Sequence, residues 1–127
     1  MLIFVPLFLL GTNLPVKDNT HQQWLGPSQE TGQAIFYRPS CDTQGEHCKK
    51  CLDLGNSGST KNGAPIEIWT CTGSAHQRWT YNTTDFTVRY QADTSKCIDL
   101  PGSDTANGNR LWLWDCHEGK QQKWLGS

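Results

Sequence analysis

The chain of 127 residues repeats itself, and that repetition limits its fold more than any other feature. Displaced by 45 positions, Asn62-Gly63 falls on Asn107-Gly108, Trp69 on Trp114, Cys71 on Cys116, and Gln77-Arg78-Trp79 on Gln122-Lys123-Trp124. Displaced by 46, Cys51-Leu52-Asp53-Leu54 falls on Cys97-Ile98-Asp99-Leu100. The extra residue is absorbed between Leu54 and Asn62, a stretch rich in Gly and Ser where a change of loop length costs little. A partial third copy lies 100 positions earlier, with Gln22-Gln23-Trp24-Leu25-Gly26 under Gln122-Lys123-Trp124-Leu125-Gly126. A unit of this size cannot bury its own apolar face, so the copies must share a core.

Each unit reads as short strands between turns. Cys51–Leu54, Ile66–Trp69 and Leu111–Trp114 alternate with period two, and Phe86–Tyr90 is a further strand opening the last unit. Asn62-Gly63 and Asn107-Gly108 are dipeptides that favour tight hairpin turns. No stretch carries a sustained helical stripe. The expected fold is therefore all-β, a pseudo-threefold assembly with Trp24, Trp79 and Trp124 meeting in the core. The expected divisions are residues 1–24 as a partial first repeat, 25–79 as the second with an inserted loop at 38–50, and 80–127 as the third. Residues 2–10 are apolar but far too few to span a bilayer. They read as core strand in preference to the signal-like segment 1–11, because no Lys or Arg precedes them and Pro6 interrupts the run. A complete first unit would need about 40 residues before Trp24 by comparison with the other units. Without one, open strand edges would invite a second copy.

The formal net charge of −1 removes the basic footprint of a nucleic-acid or polybasic membrane binder. Six cysteines in a short chain point to disulfides and a secreted, oxidising setting. Cys48-Lys49-Lys50-Cys51 has no second pair to complete a zinc site, so no metal and no cofactor is expected. Pairing within the repeat would join Cys51 to Cys71 and Cys97 to Cys116, each worth about 3 kcal/mol in the chain-entropy model. Cys41 and Cys48 are left to close a small loop in the insertion. No metalloprotease, nucleophile-elbow or phosphate-loop motif is present, and the carboxylates that recur with the repeat fall in different lobes, which argues against an enzyme. Asn82-Thr83-Thr84 is a glycosylation sequon at an expected turn.

Together, Cys-apolar-Asp-Leu, Asn-Gly, an aromatic two residues before Cys, and Gln-x-Trp resemble the ricin B-type lectin domain, a β-trefoil. The resemblance covers residues 25–127 well and 11–24 weakly. It implies two complete repeats plus a partial N-terminal one, and a module that binds galactose-type or related neutral sugars on glycans or glycoproteins. A carboxylate accepts paired hydroxyl protons, an indole receives the flat C–H face, and an amide serves the remaining hydroxyl. By the family pattern these are Asp53, Trp69, and His76 with Gln77 in the second unit. In the third they are Asp99, Trp114, and Gln121 with Gln122. Two departures stand where the family usually has Gln. Glu67 still bonds hydroxyls, whereas Trp112 loses a polar contact and adds apolar surface for a second sugar residue. In the first unit, Leu14 and Val16 replace the platform and the second Cys, so no site is expected there.

Blander roles compete. Asp53 and Asp99 are equally suited to capping a turn, and Gln77 and Gln122 to satisfying buried backbone groups beside the core Trp. Three other functions fit the same residues: a targeting appendage of a larger glycosidase, glycosyltransferase or toxin, a protein-binding or protease-inhibitory scaffold, and a degenerate copy without a ligand. As an appendage it would share a longer chain with a catalytic domain. As an incomplete trefoil it would form a homo-oligomer.

Overall fold

The structure is a computed structural model that describes residues 3–5, 23–26 and 32–124. Among the described residues, nine strands form two sheets. The first runs β1 (Ile3–Val5), β2 (Gln23–Leu25), β3 (Phe36–Tyr37), β4 (Lys50–Leu54) and β5 (Ile66–Thr70) in that order. The second runs β6 (Trp79–Asn82), β7 (Thr87–Tyr90), β8 (Asp93–Asp99) and β9 (Trp112–Asp115). All neighbours are antiparallel except β1 and β2, which pair in parallel, Phe4 opposite Trp24. Part of the apolar run 2–10 is thus strand. Its remaining residues, like Leu14, Val16, His21 and Gln22, lie outside the described residues.

The repeat appears directly as register. Across β4 and β5, Cys51 faces Trp69 and Asp53 faces Glu67. Across β8 and β9, Cys97 faces Trp114 and Asp99 faces Trp112. Because side chains alternate sides along a strand, each hairpin sends its Cys, Asp and aromatic residues to one face and Leu52 or Ile98 to the other. The inward set joins Trp24, Trp79 and Trp124 in one core with Ile35, Leu54, Tyr81, Val88, Tyr90 and Leu113. The indoles are polar at one point, and the fold repeats the same solution for it. Trp79 Nε1 donates to the Leu52 carbonyl and Trp124 Nε1 to that of Ile98, both at 3.1 Å. Disulfides join Cys51 to Cys71 and Cys97 to Cys116, stapling each hairpin, and Cys41 to Cys48 closes the insertion.

Asn62-Gly63 and Asn107-Gly108 do not close two-residue hairpins. Only the glycines take positive φ, 92° in each, and residues 55–65 separate β4 from β5. The segment around Gly63 instead docks on the neighbouring unit: Gly63 N–H donates to the Leu113 carbonyl and Leu113 N–H to that of Ala64, both at 2.8 Å. Asn62 also reaches across, its Nδ2 donating to Asp115 Oδ2 (2.9 Å), while Lys96 Nζ bonds both Asn62 Oδ1 (2.9 Å) and Asp115 Oδ1 (2.6 Å). The bonds from Lys96 and then Asn62 hold the Asp115 carboxyl below its ordinary range. Tertiary docking has overridden the local turn preference.

The inserted loop is organised by Asp42. Its carboxylate accepts the backbone N–H groups of Gln44 (3.1 Å) and Glu46 (2.8 Å) and lies 2.8 Å from His47 Nδ1. The bond from Asp42 raises the His47 imidazole above 6.5, and the bond from His47 lowers the Asp42 carboxyl below 3.8. His47 therefore supports the loop below pH 6.5 and loses that contribution as pH rises through its raised folded value. Asp42 contributes above pH 3.8 and loses its share as pH falls through its lowered one. Between those limits both are charged. In an NMR titration His47 should titrate above 6.5 and return to about that value in Asp42→Asn. An unchanged midpoint would break the assignment.

Candidate functional site

The second unit opens a cleft of about 400 Å³. Asp53 and Glu67, directly opposite on β4 and β5, form its floor, and Trp69 stands two residues beyond on the same face. Trp69 is a large hydrophobic residue left 59% exposed, so its ring face is open to an apolar surface. His76 closes one side from a 3-10 turn, Ala75–Gln77. Packed against the His76 ring is the sharp turn that follows β4, where Asn56 and Ser57 take consecutive left-handed conformations (φ 53° and 55°). Two such residues in sequence carry backbone strain, a feature that concentrates at binding sites.

Gln77 stands behind this wall. Expected to face the ligand, it is 1% exposed and its amide is committed internally. Nε2 donates to Asp53 Oδ2 (2.7 Å) and the Thr70 carbonyl (2.9 Å), and Oε1 accepts from Thr72 N–H (2.8 Å). These bonds leave Asp53 with one oxygen anchored. Among the described residues, none donates to the other, Oδ1. The carboxylate is fixed in direction and open on one side.

The third unit has the same frame. Gln122 is fully buried, donating to Asp99 Oδ2 (2.8 Å) and the Asp115 carbonyl (2.9 Å) and accepting from His117 N–H (2.8 Å). Here Asp99 is only 3% exposed. Trp112, expected to extend the apolar floor, lies over it and donates from Nε1 to Asp99 Oδ1 at 2.8 Å. Its ring stacks on Trp114, centroids 4.8 Å apart and planes at 24°. His117 Nε2 lies 3.4 Å from Asp99 Oδ2 and a like distance, 3.4 Å, from Gln121 Nε2. The two units share one backbone and differ in access.

The structure thus brings Asp53, Glu67, Trp69 and His76 together around one cleft, with Gln77 behind, and Asp99, Trp112, Trp114, Gln121 and Gln122 into one closed cluster. Sequence reasoning missed Leu54–Ser57, Thr72 and Ser74 as cleft lining. Their only signal was position, immediately after the Asp motif and the second Cys. The Asp42, Glu46 and His47 cluster is the one group of metal-ligand type among the described residues, and its bonds are those of the loop itself. Among those residues, no helix is long and apolar enough to cross a membrane.

The profile of the ricin-type β-trefoil lectin domain matches residues 39–126. The chain belongs to that family. Among solved structures, this family member is similar to the designed threefold-symmetric protein ThreeFoil, with a TM-score of 0.62 and 20% identity over 84% of this chain and 71% of that one. It also resembles a mosquitocidal holotoxin (TM-score 0.64, 25% identity, 84% of this chain, 13% of that one). A third likeness is the β-trefoil lectin of the Vibrio vulnificus hemolysin/cytolysin with N-acetyl-D-lactosamine bound (TM-score 0.51, 23% identity, 62% and 55%). These likenesses show the trefoil. Among curated sequences it is 38% identical over 74 residues to the probable lipoprotein EnvE of Salmonella typhimurium, covering 58% of this chain and 39% of that protein. It is 32% identical over 66 residues to nigrin b of Sambucus nigra, covering 52% and 10%. The ricin-type chain therefore spans well under half the length of either relative. Membership of a lectin family supports a carbohydrate-binding module, and three disulfides are consistent with an oxidising compartment.

Proposed function

We propose that this ricin-type domain binds a neutral, galactose-type sugar in the second-unit cleft, with Asp53 accepting hydroxyl protons and Trp69 receiving the sugar's C–H face. The observation that carries this reading is a braced carboxylate with one open oxygen beside an exposed indole. Glu67 and His76 supply further polar contacts, and among the described residues neither Lys nor Arg lines the cleft. Two carboxylates without a cation disfavour acidic sugars by direct repulsion.

The repeats are assigned to residues 1–24, 25–79 and 80–127. The matches to short parts of much longer chains favour a second element: the module directs an attached activity to a glycan surface. Attachment to glycans, rather than catalysis, is then its own contribution.

The test is a glycan array followed by calorimetry on the oxidised protein. Charge-assisted hydrogen bonds contribute about 1.5–3 kcal/mol each, so Asp53→Ala, which removes two, is expected to weaken binding about a hundredfold or more. Asp53→Asn keeps an acceptor for Gln77 and separates lost binding from lost structure. A blank array from folded protein would move the function to a protein partner at the Cys41–Cys48 loop, and undiminished affinity in both variants would take the sugar site away from Asp53.

A further inference from the structure

We propose that Trp112 is a built-in ligand, occupying the sugar position of the third unit and keeping that site closed. The inference rests on the reading of the second-unit cleft, and the two equivalent registers make the comparison. Glu67 faces Asp53 and leaves it accessible, whereas Trp112 faces Asp99 and covers it. The contacts of Trp112 are those a neutral sugar would make. Its N–H takes the carboxylate oxygen Oδ1 at 2.8 Å, as a hydroxyl would. Its flat ring lies against the Trp114 indole, 4.8 Å away and 24° from parallel, as a sugar's C–H face would.

The plug is held from outside its own unit. Trp112 bridges to Pro65, and its six-membered ring lies 3.7 Å from where a Cβ on Gly63 would stand. The Gly63 turn thus packs beside the ring that covers Asp99. With Gln122 on Oδ2 and His117 nearby, Asp99 is left 3% exposed, and a sugar would have to break the indole bond and the ring stack together. Closure of the site by a covalently attached group carries no loss of translational freedom, so a free sugar competes poorly.

The experiment titrates the oxidised protein with galactose, N-acetylgalactosamine, lactose and mannose, by calorimetry and by the indole N–H signals in a 1H–15N spectrum. The wild-type chain is expected to bind one sugar, shifting the Trp69 indole signal and leaving that of Trp112 in place. Trp112→Gln, which restores the usual family residue, is expected to bind two, and Trp112→Gln with Trp114→Ala to return to one. Two bound sugars in the wild type, a shifted Trp112 indole at saturation, or a folded Trp112→Gln variant that binds no more sugar than a binding wild type would each overturn the plug. The spectrum needs no variant, so the idea stays exposed if Trp112→Gln fails to fold. Binding by Trp112→Gln alone would sink the second-unit reading and keep the plug. No binding by either chain would sink both.

Discussion

Replacing Trp79 with alanine is expected to remove about 3–5 kcal/mol of stability, a large share of the roughly 5–15 kcal/mol that holds an ordinary domain together. The indole is fully buried and touches parts of the core supplied by different repeats. Its ring sits tilted against Tyr90, centroids 5.5 Å apart, so truncation leaves a cavity whose walls belong to separate strands. Such walls are fixed by their own sheets and collapse little, which places the cost high within its range. The Leu52 carbonyl would also lose its only donor of the indole type, Trp79 Nε1 at 3.1 Å. Trp79→Phe separates these effects. It keeps most of the ring and loses the hydrogen bond, so it should cost about 1–3 kcal/mol. Urea unfolding of the oxidised variants reads both, provided the slope with denaturant is unchanged. If Trp79→Ala unfolds within about 1 kcal/mol of the parent, the shared core is not centred where the repeat places it.

The repeat made the core readable because it records constraints that act within one unit. Trp79 and Trp124 recur because each must fill one-third of a common interior, and each bonds the equivalent carbonyl of its own unit, Leu52 or Ile98. Cys51 with Cys71, and Cys97 with Cys116, recur because a disulfide needs two facing strands in fixed register. The legible part of the site, Asp53 with Trp69 and Asp99 with Trp114, follows from the same alternation. What was not legible depends on contacts between units. Trp112 occupies the register position of Glu67, and its ring packs beside Gly63 and Pro65 of the neighbouring unit, which periodicity within one unit does not record. Asn62-Gly63 has a strong local preference for a hairpin, yet Leu113 and Asp115 of the next unit take its hydrogen bonds. Asn56 and Ser57 adopt left-handed geometry that no periodicity announces.

Gln122→Ala is expected to be nearly as damaging as loss of a core indole, about 3–5 kcal/mol, although it removes a polar side chain. One amide satisfies three groups: Asp99 Oδ2 at 2.8 Å, the Asp115 carbonyl at 2.9 Å and His117 N–H at 2.8 Å. A buried group left without a partner costs about 1–3 kcal/mol; the bond to Asp99 is buried and its charged oxygen falls at the upper end, while the half-buried Asp115 carbonyl and His117 N–H add less. Gln77→Ala deletes the same three bonds from Asp53, the Thr70 carbonyl and Thr72 N–H, but beside an open cleft. Water can enter there and replace the amide, so its cost should be lower by about 1–2 kcal/mol. That gap measures how well the third unit is sealed, because Asp99 is 3% exposed beneath Trp112. Gln122→Glu gives the complementary outcome. It preserves shape while setting a second carboxylate against Asp99, so stability should rise on acidification as the two come to share a proton. Equal losses in Gln77→Ala and Gln122→Ala would mean that water already reaches Asp99. The third unit would then be an open pocket, with Trp112 lying in it as a mobile side chain.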